Sequence, residues 1–214
     1  MNNLIFLNGN IPIHVYNKLF RGEKNFIIAA DGGANHLKEN GIKADFIAGD
    51  LDSIKKDVLK YYKSLNTVIK KIPEQETTDF EKVLNYCSKN KSNNLKIFGA
   101  VSERTDHTLN NFSVLKRYFR KLNITLYSDE FEIYFVKGIS EFAYKKGNTV
   151  SLLPFPKAYS VKTKGLKYSL SNENLELGKR EGSLNISVSD KVSVGLEKGF
   201  LLLFKKHFIN KPKN

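Results

Sequence analysis

The sequence of 214 residues has no tryptophan, one cysteine, one methionine and five prolines. Because Cys87 is alone, the chain cannot form an internal disulfide or a cysteine-based zinc site, so we expect a reducing, cytoplasmic environment. The longest apolar runs, such as 26–30 and 200–204, are far below the roughly 20 residues of a membrane-spanning helix. The first residues lack the basic flank and apolar stretch of a secretory signal. We therefore expect a soluble protein with no membrane partner.

Acidic residues are also few, with 22 Asp and Glu against 35 Lys and Arg and a formal charge of +13. A basic balance is compatible with nucleic-acid binding. However, only five of the basic residues are arginine, and the lysines are scattered along the chain. Because base recognition uses arginine forks and phosphate binding uses clustered cations, we expect no nucleic-acid partner. The charge still suits a small polyanion such as a nucleotide.

Through residue 129, short apolar runs alternate with amphipathic stretches. The runs cover 4–7, 26–30, 46–48, 68–72, 95–99 and 124–127. Helical periodicity is clear over 79–89 and 106–122. The second stretch places one apolar stripe along Leu109, Phe112, Leu115, Phe119 and Leu122. Alternating strands and helices predict a parallel sheet covered by helices.

After residue 129 the pattern changes to short strand-like runs separated by Gly, Pro, Asn or Asp. These runs cover 133–136, 141–145, 149–153, 160–163, 183–188, 192–196 and 200–204. Such spacing is typical of antiparallel β structure, a sandwich or a barrel. The predicted fold class is therefore α/β, with an N-terminal Rossmann-like parallel-sheet domain (1–129) and a C-terminal antiparallel β-sandwich domain (130–214).

Acidic and glycine residues follow two of the predicted strands, as Asp31-Gly32-Gly33 and as Gly49-Asp50-Leu51-Asp52-Ser53. Both loops would lie in the crevice outside the carboxyl ends of the strands, where open sheets bind ligands. Gly32 and Gly33 would let the backbone approach a phosphate, although a tight turn explains them equally well. Asp50 and Asp52 suit a shared Mg²⁺; the alternative is an Asx turn in which Ser53 caps the next helix.

Two further motifs stand where a strand gives way to a helix. Thr78 and Glu81 have the spacing of a capping box, and Asp79 is favoured in the first helical turn, so this segment has a structural explanation of its own. In the second motif, Arg104 and Asp106 either pair with each other or hold a phosphate and a cationic group respectively.

Taken in order, the motifs of residues 31–33, 49–53, 75–79 and 104–107 resemble the thiamine pyrophosphokinase family. The resemblance continues in the segments 165–170 and 182–185 of the second domain and extends from about residue 4 to about residue 204. It departs from the family at three places. Tyr168 stands where a Trp is usual, Ser102-Glu103 where a Gly-Gly pair is common, and Leu184 where a Ser is usual.

The resemblance implies a homodimer with its sites at the interface, which uses ATP and Mg²⁺ to convert thiamine into thiamine diphosphate with release of AMP. It implies catalytic and metal-binding roles for Asp50, Asp52 and Asp79, with Asp31 in the same acidic cluster. It implies ATP binding by Gly32, Gly33, Ser53, Gln75, Thr78, Lys82 and Arg104, and thiamine binding by Asp106, Tyr168, Ser183 and Asn185. Two alternatives stay open: a nucleotide-dependent transferase with another alcohol acceptor, which the departures at 168 and 184 suggest, and a basic nucleic-acid-binding module.

Overall fold

The computed structural model describes residues 2–210, which form two compact units. The first holds residues 2–129 together with 209–210, and the second is Glu130–Phe208. The sequence predicts Ile209 in the second domain, but it packs against the core of the first unit. Residues 211–214, also assigned to the second domain, lie outside the described part of the chain.

Within residues 2–129, six strands alternate with five helices. They are β1 (Asn2–Phe6), α1 (Ile13–Leu19), β2 (Asn25–Ala30), α2 (Gly33–Glu39), β3 (Phe46–Gly49), α3 (Lys56–Ser64), β4 (Val68–Lys71), α4 (Asp79–Lys89), β5 (Leu95–Phe98), α5 (Thr105–Tyr118) and β6 (Ile124–Tyr127). The strands lie in the order β4-β3-β2-β1-β5-β6, and every neighbouring pair is parallel. The predicted parallel α/β sheet is confirmed.

The central strands are apolar on both faces, as expected for a parallel sheet covered by helices. In β1, Leu4, Ile5 and Phe6 are completely buried. The ring of Phe6 stacks on that of Phe98 at 4.9 Å between centroids, which ties β1 to β5. Strand β2 pairs with β3 so that Ala30 is opposite Ala48. This register places the loops after β2 and β3 side by side.

Helix α5 ends earlier than its sequence pattern predicts, at Tyr118 rather than near residue 122. The predicted apolar stripe is also partly wrong, because Leu109 is 57% exposed while the other four members are buried. Over residues 2–210, no helix combines the length and apolar character that crossing a membrane requires.

The second unit is built from antiparallel strands. They are β7 (Phe131–Phe135), β8 (Ile139–Ala143), β9 (Thr149–Lys164), β10 (Ser171–Glu176), β11 (Gly182–Ile186), β12 (Lys191–Gly195) and β13 (Lys198–Lys206). Strand β9 pairs with β10, β11, β12 and β13, so it is the central strand that connects the others in this unit. Its inward residues, including Val150, Leu152 and Val161, form a separate buried core. The predicted antiparallel organisation is confirmed.

Two strand predictions in this unit are wrong. The runs 149–153 and 160–163 belong to one strand, β9, which continues through Pro154 and Pro156. A register shift between Gly199 and Leu201 of β13 accommodates this stretch, where the prolines cannot donate ladder hydrogen bonds. Strand β10 was missed because it is almost entirely polar, with Leu175 as its only buried residue among Ser171–Glu176.

Candidate active site

The loops at the carboxyl ends of the first unit's strands surround a cleft of about 830 Å³. Its lining includes Asn8, Asp31, Asp50, Asp79, Lys82 and Arg104, which come from five different strand-to-helix connections or helix starts. The parallel arrangement of the strands explains why residues so far apart in sequence meet here. The predicted strand-end site therefore corresponds to a physical cleft.

Three carboxylates meet in this cleft, those of Asp31, Asp50 and Asp79, each offering an oxygen within 4.8 Å of the others. Asp31 is only 2% exposed, and one of its oxygens, Oδ2, accepts a hydrogen bond of 3.0 Å from the Ser53 amide. Within residues 2–210, nothing donates a hydrogen bond to its other oxygen, Oδ1. A buried carboxylate oxygen without a donor, next to two more carboxylates, fits the oxygen ligands that Mg²⁺ prefers.

Lys82 enters the same cluster from the first turn of α4. Its side chain is 2% exposed, and its Nζ lies 3.1 Å from Asp79 Oδ1 and 3.6 Å from Asp50 Oδ2. Asp50 Oδ2 also accepts a hydrogen bond of 3.2 Å from the side-chain Nε2 of Gln75. One buried ammonium therefore faces two of the three carboxylates.

The cluster perturbs the ionisation of its members. Burial raises the pKa of Asp31, and the negative charges of Asp79 and Asp50 raise it further. Burial also raises the pKa of Asp79, although Lys82 opposes this shift. Burial acts in the same direction on Asp50, but hydrogen bonds from Asp52 and Gln75 and the charge of Lys82 outweigh it, so the Asp50 pKa is lowered. Lys82 has a raised pKa because its carboxylate partners outweigh its burial.

The backbone around the cluster has no room for larger residues. Asp31 adopts a left-handed conformation with φ of 42°. Gly49 faces it, and a Cβ there would lie 2.7 Å from the Asp31 Cβ and 3.0 Å from Asp79 Oδ1. A Cβ on Gly33 would lie 2.1 Å from the Phe6 carbonyl oxygen. Gly33 thus brings the start of α2 against the end of β1, where the sequence had allowed either a tight turn or a phosphate loop.

Asp52, predicted to share a metal with Asp50, is placed differently. The intervening Leu51 does turn, with φ of 66°, but it is the Asp52 amide that points back, donating to Asp50 Oδ1 at 3.2 Å. The Asp52 side chain is exposed and accepts a hydrogen bond of 2.9 Å from the Ser53 hydroxyl. The structure therefore groups Asp31, rather than Asp52, with Asp50 and Asp79.

The capping predictions are met only in part. Thr78 caps α4, accepting a hydrogen bond of 3.3 Å from the Glu81 amide. Glu81 does not complete a capping box, because its carboxylate pairs with Arg117 of α5 at 2.5 Å. Ser53 caps no helix, since α3 begins at Lys56 and its N-cap position is Lys55.

Arg104 and Asp106 form a two-point ion pair, with Nη2 2.6 Å from Oδ2 and Nε 3.2 Å from Oδ1. Both side chains are about two-thirds exposed, at 68% and 65%. The hydrogen bonds from Arg104 lower the pKa of Asp106 to about 2. Of the two functions considered for this motif, the structure contains the mutual pair, and Arg104 also lines the cleft.

In the second unit, Asn185 organises the segment that carries Tyr168. The Asn185 side chain is buried; its Nδ2 donates to the Tyr168 carbonyl at 2.7 Å, and its Oδ1 accepts from the Tyr168 amide at 3.0 Å and the Ile186 amide at 2.9 Å. The Tyr168 ring is 63% exposed, and Leu184 is 76% exposed with φ of 54°. Ser183 is also exposed. Asn185 thus holds the backbone, while neighbouring side chains face outward.

Asn8 and His36 are among the cleft-lining residues that the sequence does not single out. Gly49 is named there only as part of its motif, without the role that the close approach of Asp31 gives it. A lone Asn or His carries no local signal of this position. Gly49 had one, since a glycine directly after an apolar strand and before an acidic residue indicates close backbone approach.

Comparison with known proteins identifies both parts of the chain. Residues 17–127 match the family described as "Thiamin pyrophosphokinase, catalytic domain", and residues 137–201 match "Thiamin pyrophosphokinase, vitamin B1 binding domain". The chain belongs to the thiamine pyrophosphokinase family. The first match lies within the first unit and the second within the second unit.

Individual relatives agree with this assignment. Thiamine pyrophosphokinase 2 of Arabidopsis thaliana is 31% identical over 220 residues, covering 89% of this chain and 81% of that protein. Among solved structures, thiamine pyrophosphokinase from Bacillus subtilis superposes with a TM-score of 0.83 at 21% identity, covering 97% of this chain and all of that one. The yeast thiamin pyrophosphokinase gives a TM-score of 0.82 at 20% identity, with 96% and 86% coverage. These structures share the fold. The matches confirm the family resemblance seen in the sequence and do not favour its two alternatives.

Proposed function

We propose that this protein transfers the diphosphate group of ATP to the hydroxyl of thiamine, giving thiamine diphosphate and AMP, with Mg²⁺ as the cofactor. The observation that carries the proposal is the cluster of Asp31, Asp50 and Asp79 beside Lys82, in a cleft of a chain that belongs to the thiamine pyrophosphokinase family. Carboxylates suit a divalent cation, and lysine and arginine suit phosphate, so one cleft holds both requirements of a nucleotide substrate.

Asp31, Asp50 and Asp79 would hold the metal ion, with Asp52 entering through its amide contact to Asp50. Bound Mg²⁺ would neutralise charge on the phosphate oxygens. Gly32, Gly33 and Ser53 would shape the wall next to the phosphates. Gln75, Thr78, Lys82 and Arg104 would hold the phosphate oxygens, and all four line the cleft.

The residues of the cleft mainly position the reacting groups, since phosphoryl-type transfer relies on alignment and charge neutralisation. The thiamine hydroxyl oxygen forms a bond to the β-phosphorus, the bond from that phosphorus to the AMP oxygen breaks, and the hydroxyl proton is released. Asp106 from one chain, and Tyr168 and Ser183 from the second unit of the other chain, would hold thiamine, with Asn185 positioning the segment that carries Tyr168. The exposed Tyr168 ring can stack on the aminopyrimidine, and acidic side chains tolerate the permanent charge of the vitamin.

The first experiment is a product analysis. Purified protein is incubated with ATP, Mg²⁺ and thiamine, and nucleotides and thiamine phosphates are separated by chromatography. We expect AMP and thiamine diphosphate in equal amounts, and no product when EDTA removes the metal. ADP with thiamine monophosphate would show that the γ-phosphate is transferred instead. Absence of any thiamine product from folded protein would contradict the choice of acceptor.

We also propose a homodimer whose site takes residues from both chains, in a cytoplasmic location. The exposed Tyr168 and Leu184 support an interaction surface on the second unit, and a single buried cysteine, Cys87, suits a reducing compartment. Co-expression of Asp79→Asn with Tyr168→Arg tests the shared site. If each site needs two chains, about a quarter of wild-type activity returns through heterodimers that have one intact site. A sedimentation experiment that finds only monomers would refute the dimer.

A further inference from the structure

Lys82 brings a buried positive charge to the carboxylate cluster. Its side chain is 2% exposed, which is rare for lysine unless the ammonium is paired. The pairing is with Asp79 at 3.1 Å and Asp50 at 3.6 Å, two of the three carboxylates that converge in the cleft. The ammonium thus compensates part of the negative charge of the three carboxylates.

The position of Lys82 conflicts with occupation of the same oxygens by a divalent cation. An ammonium this close to Asp79 Oδ1 and Asp50 Oδ2 would repel a metal ion bound to those atoms, because charges of the same sign interact strongly in a buried site. Lysine is a flexible chain of four methylene groups, so the ammonium can move if another anion receives it. Gln75 and Thr78, which also line the cleft, mark the region where a phosphate would lie.

We propose that Lys82 is an internal counter-cation of the carboxylate cluster, which releases Asp50 and Asp79 to the metal only when a phosphate accepts its ammonium. The inference rests on the proposed function, because it needs a nucleotide and a divalent cation in one cleft. Its consequence is that neither ligand binds well alone. A free divalent cation competes with Lys82, and a metal-free nucleotide meets three carboxylates, whereas the two together give the metal its carboxylates and the Lys82 ammonium a phosphate.

The test measures Mn²⁺ binding by electron paramagnetic resonance or calorimetry, with and without α,β-methylene-ATP, an analogue that cannot be cleaved between its α- and β-phosphates. For the wild-type protein we expect the analogue to tighten Mn²⁺ binding at least ~10-fold, within the usual range of coupling between two ligands. Equal Mn²⁺ affinity with and without the analogue would overturn the proposal, and this result requires no variant.

Replacing Lys82 by Met keeps the length of the side chain and removes its charge. We expect Lys82→Met to bind Mn²⁺ alone at least ~10-fold more tightly than the wild type and to lose most of the coupling to the analogue. Mn²⁺ alone should also raise the melting temperature of this variant more than that of the wild type. A folded Lys82→Met protein that binds Mn²⁺ no better than the wild type would refute the proposal.

Lys55→Met is a matched control, since Lys55 is 63% exposed and pairs with Glu39, and neither residue is part of the cleft lining. This control should leave Mn²⁺ affinity unchanged. The binding measurement uses neither thiamine nor turnover. If the protein fails the product analysis but shows the predicted Mn²⁺ coupling, the proposed reaction is refuted and the role of Lys82 stands. If it forms the expected products but shows no Mn²⁺ coupling, the role of Lys82 is refuted and the proposed reaction stands.

Discussion

Replacing Asp31 by Asn removes one negative charge from the cluster with little change in shape. Asn also tolerates the left-handed conformation that Asp31 adopts with φ of 42°, so the backbone should remain as it is. We expect the substitution to stabilise the metal-free protein while it abolishes most activity. The two effects have one cause, since the buried charge that holds a metal is costly when no metal is bound.

The magnitude follows from the separation of the carboxylates. Charges 4.8 Å apart repel by about 3.5 kcal/mol at an effective dielectric constant of about 20, and Asp31 has two such neighbours. Lys82 offsets part of this, and the hydrogen bond from the Ser53 amide to Asp31 weakens when the acceptor becomes neutral. We therefore expect a net gain of about 1 to 2 kcal/mol, which raises the melting temperature by roughly 3–6 °C for a chain of this size.

The assay is thermal unfolding in EDTA, combined with the product analysis. Asp31→Asn should melt higher than the wild type and turn over at least ~100-fold more slowly. The matched control is Asp52→Asn, whose exposed side chain should change the melting temperature by no more than about 1 °C, equivalent to less than 0.5 kcal/mol. A lower melting temperature for metal-free Asp31→Asn, or normal turnover, would refute the assignment of Asp31 to the metal. A large loss of activity in Asp52→Asn with unchanged stability would bring Asp52 into the site.

Tyr168→Ala should raise the KM for thiamine with little effect on the KM for ATP, because the exposed ring contributes only stacking; equal effects on both would contradict this. Asn185→Ala should also raise the KM for thiamine. Unlike Tyr168→Ala, it should lower the free energy of unfolding by about 1–3 kcal/mol, because it leaves backbone groups of Tyr168 and Ile186 unpaired. Urea denaturation measures this difference, and equal stability of the two variants would contradict it. Gly33→Ala should lower the free energy of unfolding by about 3 kcal/mol or more, because its Cβ would lie 2.1 Å from the Phe6 carbonyl oxygen. An unaltered denaturation midpoint would show instead that the start of α2 can move.

The fold was predictable from the sequence wherever burial produces a regular pattern of apolar residues. The first unit's central strands are apolar on both faces, so their runs stand out in the sequence, as 26–30 does for β2. One error falls where burial leaves no pattern, and the other where prolines interrupt the sequence signal of a strand. Strand β10 has one buried residue, Leu175, and β9 runs through two prolines that normally end a strand.

The site was predictable to the level of its loops but not of its side chains. Parallel strands bring their carboxyl ends to one edge, so the meeting of Asp31, Asp50 and Asp79 follows from their places after β2 and β3 and at the start of α4. Whether Asp52 points inward depends on the φ of Leu51 and on the hydrogen bond its amide makes. Such details are set by tertiary contacts, and no spacing rule encodes them.

Positions in the chain differ in how many substitutions they tolerate without loss of stability. Tyr168, Ser183 and Leu184 are exposed and belong to neither core, so substitutions there cost little stability. Gly49 has no such latitude, because even one methyl group would collide with Asp31. If Tyr168 and Ser183 contact thiamine as proposed, laboratory evolution toward a different alcohol acceptor should therefore start from libraries at Tyr168, Ser183 and Leu184, where most substitutions leave the fold intact.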